Sequence, residues 1–291
     1  MDYQKLADSF ESLTCIMSVD VFPDGNYGNI RIVAGNAAYV NSIEKPDNIS
    51  FSQMLDNTFI PGSPYEKYIP KDLNFEHACY ECSVLKKPFH TYIHPERYPF
   101  WVDMYMMPVV SEEKDRYYLA YTMELTMEAS SERLSSISAL VLNDVLQTCI
   151  KLHGTNNFNK AINEVIKDIR GICGADMCCI LLVDHKKKTY SVICEATAPN
   201  EKIKGLKEYI SENYVDFFGI ADTWPETIAG STCLIIQNEN DMEILRQRNP
   251  GWYESMQPLG INSLVLYPLI YNKDILGYLW AVNLIQRILQ K

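Results

Sequence analysis

Two short stretches carry side chains that could do chemistry. Cys79-Tyr80-Glu81-Cys82 is a C-x-x-C, and His90 and His94 stand four residues apart, a spacing found among zinc ligands. His77 lies two residues before the first cysteine. The apolar pattern puts the cysteines on a helix and the later histidines on a strand. Residues four apart on a strand share a face but sit about 13 Å apart at about 3.3 Å per residue, so one zinc reaches both only if the strand bends. His77, Cys79, Cys82 and His90 are therefore metal candidates without a metal being expected; buried thiols and surface histidines are the commoner fate of such residues. A redox or sulfoxide-reductase activity would use Cys79 and Cys82, and it would need them exposed and of low pKa. No catalytic residue is assigned. The phosphate-loop, dinucleotide, nucleophile-elbow and H-E-x-x-H patterns are absent, and no spacing of Asp and Glu selects an acid/base pair.

The elements that must position any site follow from composition and periodicity. With 291 residues, 47% apolar and 22% charged, the chain has room for two domains with their own cores. A net charge of −11 without a basic face argues against nucleic acid as a partner. Lys186-Lys187-Lys188 reads as a solvated hairpin tip. No apolar run approaches 18 residues and no secretory signal opens the chain. Nine cysteines scattered through apolar runs read as reduced thiols, so a cytoplasmic location without membrane association is expected.

Tyr3, Leu6, Phe10 and Leu13 are spaced as a short helix. Cys15–Phe22 and Asn29–Val33 read as a hairpin around Pro23-Asp24-Gly25-Asn26. A short helix follows, capped by Asn36, then a proline-interrupted stretch over 46–73. Phe75–Leu85 reads as a helix capped by Asp72 or Asn74. Strands follow at Phe89–His94, Phe100–Val110 and Arg116–Leu125, giving a five-stranded antiparallel sheet with helices on one side. From Glu128 to Leu152 there is no proline or glycine. Leu134, Ile137, Val141, Val145, Cys149 and Leu152 make one stripe, widened by Leu142 and Leu146. This stripe either packs on its own domains or forms the seam of a parallel homodimer. A second amphipathic helix runs from Phe158 to Ile172, capped by Asn156 or Asn157 and stopped by Gly174. Strands at Met177–Val183, Tyr190–Ala196, Thr232–Gln237, Ser263–Ile270 and Ile275–Val282, with a short helix at Asp241–Arg248, form a second antiparallel sheet. The fold class is thus α+β: 1–127 as one domain, 128–153 as a connector helix, 154–291 as the other.

On these residues the chain resembles two families. Residues 11–127 resemble a PAS domain, through Val33-Ala34-Gly35-Asn36-Ala37-Ala38-Tyr39 opening the first short helix and Tyr121-Thr122-Met123-Glu124-Leu125-Thr126 closing the last strand. Residues 154–283 are similar to a GAF domain, chiefly in Ser263–Leu269 followed by Ile275-Leu276-Gly277-Tyr278-Leu279. Tyr68–Glu76 and His90–Arg97 look like the sensory halves of Gram-positive signalling proteins, which often precede a diguanylate cyclase domain. Leu284–Leu289 resembles the first turns of an output helix. No Gly-Gly-Asp-Glu-Phe or Gly-Gly-Glu-Glu-Phe signature is present, so no cyclase chemistry belongs to these residues.

The resemblance implies a bacterial, cytoplasmic, non-catalytic sensory module. It would bind an unidentified small molecule and relay the change through helices to an output domain outside the chain. The cofactor is left unknown. Haem on a PAS domain would use His77, which as a lone helical histidine is more often simply packed. The flavin motif of photoactive PAS domains and the signature of cyclic-nucleotide GAF domains are absent. Ligand-binding candidates are Tyr39, Phe75, Trp101, Tyr105 and Tyr121 in the PAS-like part. In the GAF-like part they are Tyr214, Phe217, Trp224, Trp252 and Tyr267. Plain core packing is the alternative for each. The alternative for the whole is a dimerisation scaffold with filled cores.

Overall fold

The computed structural model describes residues 1–45, 54–95, 100–111, 113–130, 139–153, 157–199, 205–214, 216–228, 231–272 and 274–284; for 139–143 and 153 it describes the backbone alone. The chain divides into two compact units, Met1–Ser136 with Ala229–Ser231, and Ile137–Ile228 with Thr232–Lys291.

In the first unit, helix α1 (Tyr3–Ala7) precedes the hairpin β1 (Leu13–Val21) and β2 (Tyr27–Gly35). Helix α2 (Ala37–Glu44), the two-residue β3 (Ser63–Pro64) and helix α3 (Leu73–Ser83) come next, then β4 (Phe89–Ile93), β5 (Trp101–Val109) and β6 (Arg116–Thr126). The sheet runs β3-β2-β1-β6-β5-β4, every pair antiparallel. The caps are those the sequence indicates. Asn36 Oδ1 accepts the Tyr39 N–H at 2.9 Å, and Asp72 Oδ1 accepts from Asn74 and Phe75, quenching helix-end donors. Alternation along the strands sorts side chains by face. Cys15, Met17, Met106, Leu119 and Tyr121 join Tyr39, Ile43, Cys79 and Cys82 in the main core. Ile16, Ala34, Tyr118 and Ala120 point the other way and are covered by Ala7, Tyr3 and Leu6 of α1.

The expected start of the connector helix at Glu128 is corrected. Strand β6 continues to Thr126, where the hydroxyl donates to the Glu128 carbonyl at 3.1 Å; Met127 and Glu128 form a bend, and Ala129 and Ser130 are not helical. Residues 131–138, with Leu134 and Ile137 of the stripe, lie outside the described residues. Helix α4 spans Ala139–His153.

The second unit contains α4 and then α5 (Phe158–Cys173), capped by Asn157 and ended by Gly174 at φ +56°, a left-handed stop that glycine takes without strain. Strands β7 (Met177–Asp184), β8 (Thr189–Thr197), β9 (Leu234–Ile236), β10 (Leu264–Tyr271) and β11 (Asp274–Val282) form an antiparallel sheet of order β8-β7-β11-β10-β9. One face packs on α5 through Ile162, Ile166, Cys178, Ile180, Cys194 and Ala281. The region between β8 and β10 carries α6 (Leu206–Asn213), α7 (Phe218–Ala221), α8 (Trp224–Ile228), α9 (Glu239–Arg248) and α10 (Pro250–Met256). Its buried aromatics meet the other face of the sheet at Tyr278 and Trp280. The fold is α+β, two antiparallel sheets flanked by helices.

A candidate ligand chamber in the second unit

Tyr278 and Trp280 are two apart on β11 and share a face. Opposite them stand Trp224, the first residue of α8, and Trp252 in α10. The three indoles form a triangle: ring centres of Trp224 and Trp252 lie 5.1 Å apart, Trp224 and Trp280 5.7 Å, Trp252 and Trp280 6.2 Å. Tyr278 meets Trp224 edge-on at 4.9 Å and Phe217 does so at 6.0 Å. All five rings are buried. From Phe217 the aromatic contacts continue outward to half-buried Tyr190 at 5.7 Å and half-buried Tyr214 at 5.5 Å.

A polar latch fixes the two helices that carry Trp224 and Trp252. Buried Asn249 accepts the Trp252 N–H on Oδ1 at 3.1 Å. Its Nδ2 donates to the hydroxyls of Thr223 at 2.7 Å and Thr227 at 2.9 Å. Those hydroxyls in turn donate to Ile220 and Thr223 carbonyls, so the network is closed on itself. Tyr209 of α6 ties on by donating to the Ser255 carbonyl at 2.9 Å; burial pushes its hydroxyl up to about 12, so it stays a donor at neutral pH. On the strand side, a Cβ at Gly277 would overlap the Leu181 carbonyl oxygen. Glycine there lets β11 approach β7 and so seats Tyr278 and Trp280.

The latch is satisfied; the indoles are not. The Nε1–H groups of Trp224, Trp252 and Trp280 are buried and have no hydrogen-bond partner among the described residues. A buried indole N–H usually finds an acceptor, and leaving one without costs about 1–3 kcal/mol. Three would cost about 3–9 kcal/mol, against a net stability of about 5–15 kcal/mol for a domain. The cluster is chemically a set of donors and π faces whose rings pack against one another. It offers no nucleophile: Cys179, opposite Trp280 across β7 and β11, is fully buried, and burial pushes its thiol well above the usual range.

Four of the five aromatics chosen from sequence in this unit, Tyr214, Phe217, Trp224 and Trp252, fall in the one cluster. Tyr267 does not: it pairs with Leu279 on the α5 face and is 45% exposed. Tyr278 and Trp280 are not among the sequence candidates, although Tyr278-Leu279-Trp280 carries the alternation that places both on one face.

In the first unit, Tyr39, Phe75 and Tyr121 lie together in the main core, Phe75 edge-on to Tyr121 at 5.5 Å. Trp101 and Tyr105 are not among them. They alternate with Val102 and Met106 and so occupy the opposite face, where Trp101 stacks on Tyr92 at 5.0 Å and Tyr105 on His90 at 4.1 Å. The core tyrosines nearby are satisfied: Tyr65 donates to Glu76 at 2.8 Å, and Tyr68 accepts from Ile60 N at 2.8 Å.

The histidines and cysteines are dispersed. Cys79 and Cys82 are buried, and burial pushes the Cys82 thiol up to about 12 and the Cys79 thiol well above its ordinary value, which makes both poor thiolates. His77 lies 3.9 Å from Glu81 across one helical turn. His90 Nε2 is 2.7 Å from the buried Asp103 carboxylate, and His94 packs edge-on to Trp101. Among the described residues no group of three or more His, Cys, Asp or Glu is placed to hold a metal ion. Among them, too, no helix is long and apolar enough to cross a membrane.

No protein-family model matches this sequence, and no curated protein matches it. Solved structures with a similar course exist. The chromophore-binding domain of Stigmatella aurantiaca phytochrome P1 aligns over 97% of this chain and 91% of its own, at 13% identity and TM-score 0.40. That of the bacteriophytochrome RpBphP3 from R. palustris aligns over 94% and 86%, at 11% and 0.39. The phycoerythrobilin-bound GAF domain from a cyanobacterial phytochrome covers 50% of this chain and 82% of its own, at 15% and 0.38. At these identities and TM-scores none of them assigns a ligand to this chain.

Proposed function

We propose that the chain is a sensory module, PAS-like then GAF-like, that binds a small molecule in the Trp224–Trp252–Trp280 chamber and performs no catalysis itself. The observation that carries this reading is the set of three buried indole donors without acceptors in one enclosed aromatic cluster; a bound molecule would supply the acceptors. The tyrosine hydroxyls of the first unit's core, by contrast, have partners. Helix α4 is the relay in this reading. Val145, Leu146 and Ile150 are more than half exposed, while Leu152 packs on the second unit's core. The free stripe suits a second copy of the chain, giving a cytoplasmic homodimer. Ligand binding then favours one packing of the pair and biases an output domain, such as a diguanylate cyclase, only by its differential affinity for the two packings.

The close contact of the five rings favours a second reading, a scaffold with a filled core. Scanning calorimetry of the full chain against a metabolite library separates the two. Sensing requires a compound that raises the melting temperature of the wild type but not of Trp224→Phe, which keeps a ring and loses one donor. A chain that no compound stabilises, or one stabilised equally in both forms, supports the scaffold.

A further inference from the structure

We infer that β4 is a lever in the first unit, and that Tyr92 is the joint passing its displacement to the chain that leaves this unit toward α4. This rests on the relay part of the proposed function and not on the aromatic cluster of the second unit. Among the described residues β4 pairs with β5 alone and ends the sheet, so one side of this five-residue strand lacks a ladder. Two side chains on one face supply further holds. His90 and Tyr92 are two apart and share the face turned away from the main core. His90 stacks on Tyr105 at 4.1 Å, and its Nε2 lies 2.7 Å from the buried Asp103 carboxylate; a histidine–carboxylate hydrogen bond is among the strong ones. Tyr92 stacks on Trp101 at 5.0 Å. Its hydroxyl reaches the segment after β6, accepting the Ser130 N–H at 2.8 Å and donating to the Glu128 carbonyl at 3.4 Å. The same carbonyl accepts the Thr126 hydroxyl at 3.1 Å. The exit segment is thus pinned from two strands that are not neighbours, Thr126 on β6 and Tyr92 on β4, with β5 between them. A tilt of β4 against β5 carries the Tyr92 hydroxyl with it, and the Ser130 N–H must follow or lose its acceptor. His90 and Asp103 set how easily that tilt occurs.

The test is amide hydrogen exchange of the full chain, resolved to Ser130 by fragmentation in the mass spectrometer. Tyr92→Phe keeps the ring on Trp101 and removes the hydroxyl, so Ser130 should exchange ~5-fold faster or more. The joint makes a further demand that local packing does not. Asp103→Asn weakens the other hold on β4 without touching Tyr92. It should speed Ser130 exchange by ~3-fold or more while Tyr92 is present, and leave it unchanged once Tyr92→Phe is in place. His90→Gln runs the same cycle from the other partner of that bond, should Asp103→Asn fail to fold. Unchanged exchange at Ser130 in Tyr92→Phe overturns the joint. So does an equal effect of the second substitution in both backgrounds, no effect included. No ligand enters the measurement: the joint can fail while small-molecule sensing stands, and the calorimetric screen can fail while the joint stands.

Discussion

At the level of single residues, a few polar and small groups hold the indoles in place. Asn249 is a helix cap and a double donor at once, so Asn249→Ala should cost about 2–4 kcal/mol in urea unfolding and leave two threonine hydroxyls with one partner fewer. A substitution that cost under about 0.5 kcal/mol would mean the latch is ornamental. Gly277→Ala should cost about 1–3 kcal/mol through the forced separation of β11 from β7. In the first unit, Arg116 grips Asp20 through Nε and Nη2 at 2.7 and 3.2 Å, and this holds the carboxyl below its ordinary value. A carboxyl depressed by folding adds stability above its unfolded pKa, near 3.9, and loses it as pH falls through the folded value. Asp20→Asn should therefore flatten the loss of stability below about pH 4 and be less stable than wild type at pH 7. Residue type alone points to Trp224, Trp252, Phe217 and Tyr214, because large aromatic rings suit enclosed sites and cores alike. It could not separate Tyr267, Trp101 and Tyr105 from them: period-2 alternation says which residues share a face, not which face meets the helices.

At the level of elements, cap chemistry was the most legible signal. Asn36, Asp72, Asn157 and Gly174 each end or begin a helix where their side chains, or the lack of one, dictate. The bend after β6 was not legible, because Met127-Glu128-Ala129-Ser130 contains no breaker, and the extension of β6 is set by pairing with β5, where Trp101 faces Thr126. The exposed stripe on α4 makes its own test. Leu146→Glu and Ile150→Glu place charges on residues that are already 61% and 62% exposed, so they should leave the melting temperature nearly unchanged. Sedimentation should then show monomers for these variants where the wild type is a dimer. A monomeric wild type, or variants that remain dimeric, would remove α4 as the seam.

At the level of the whole molecule, the α+β class and the two antiparallel sheets followed from periodicity and punctuation, whereas the two-residue β3, a sixth strand where five were expected, and the covering of the sheet's other face by α1 did not. The identity of the site did not. It depends on which rings converge after the chain has folded, and on acceptors that none of the described residues supplies to the Trp224, Trp252 and Trp280 donors. Native mass spectrometry of the full chain, purified gently from a metabolite-rich lysate, weighs that claim directly. Wild-type protein should carry a noncovalent small-molecule increment that is absent from the Trp224→Phe/Trp252→Phe double variant, whose folding is checked by circular dichroism. Bare polypeptide in both, or the same increment in both folded proteins, would contradict the assignment of the chamber as the sensing site.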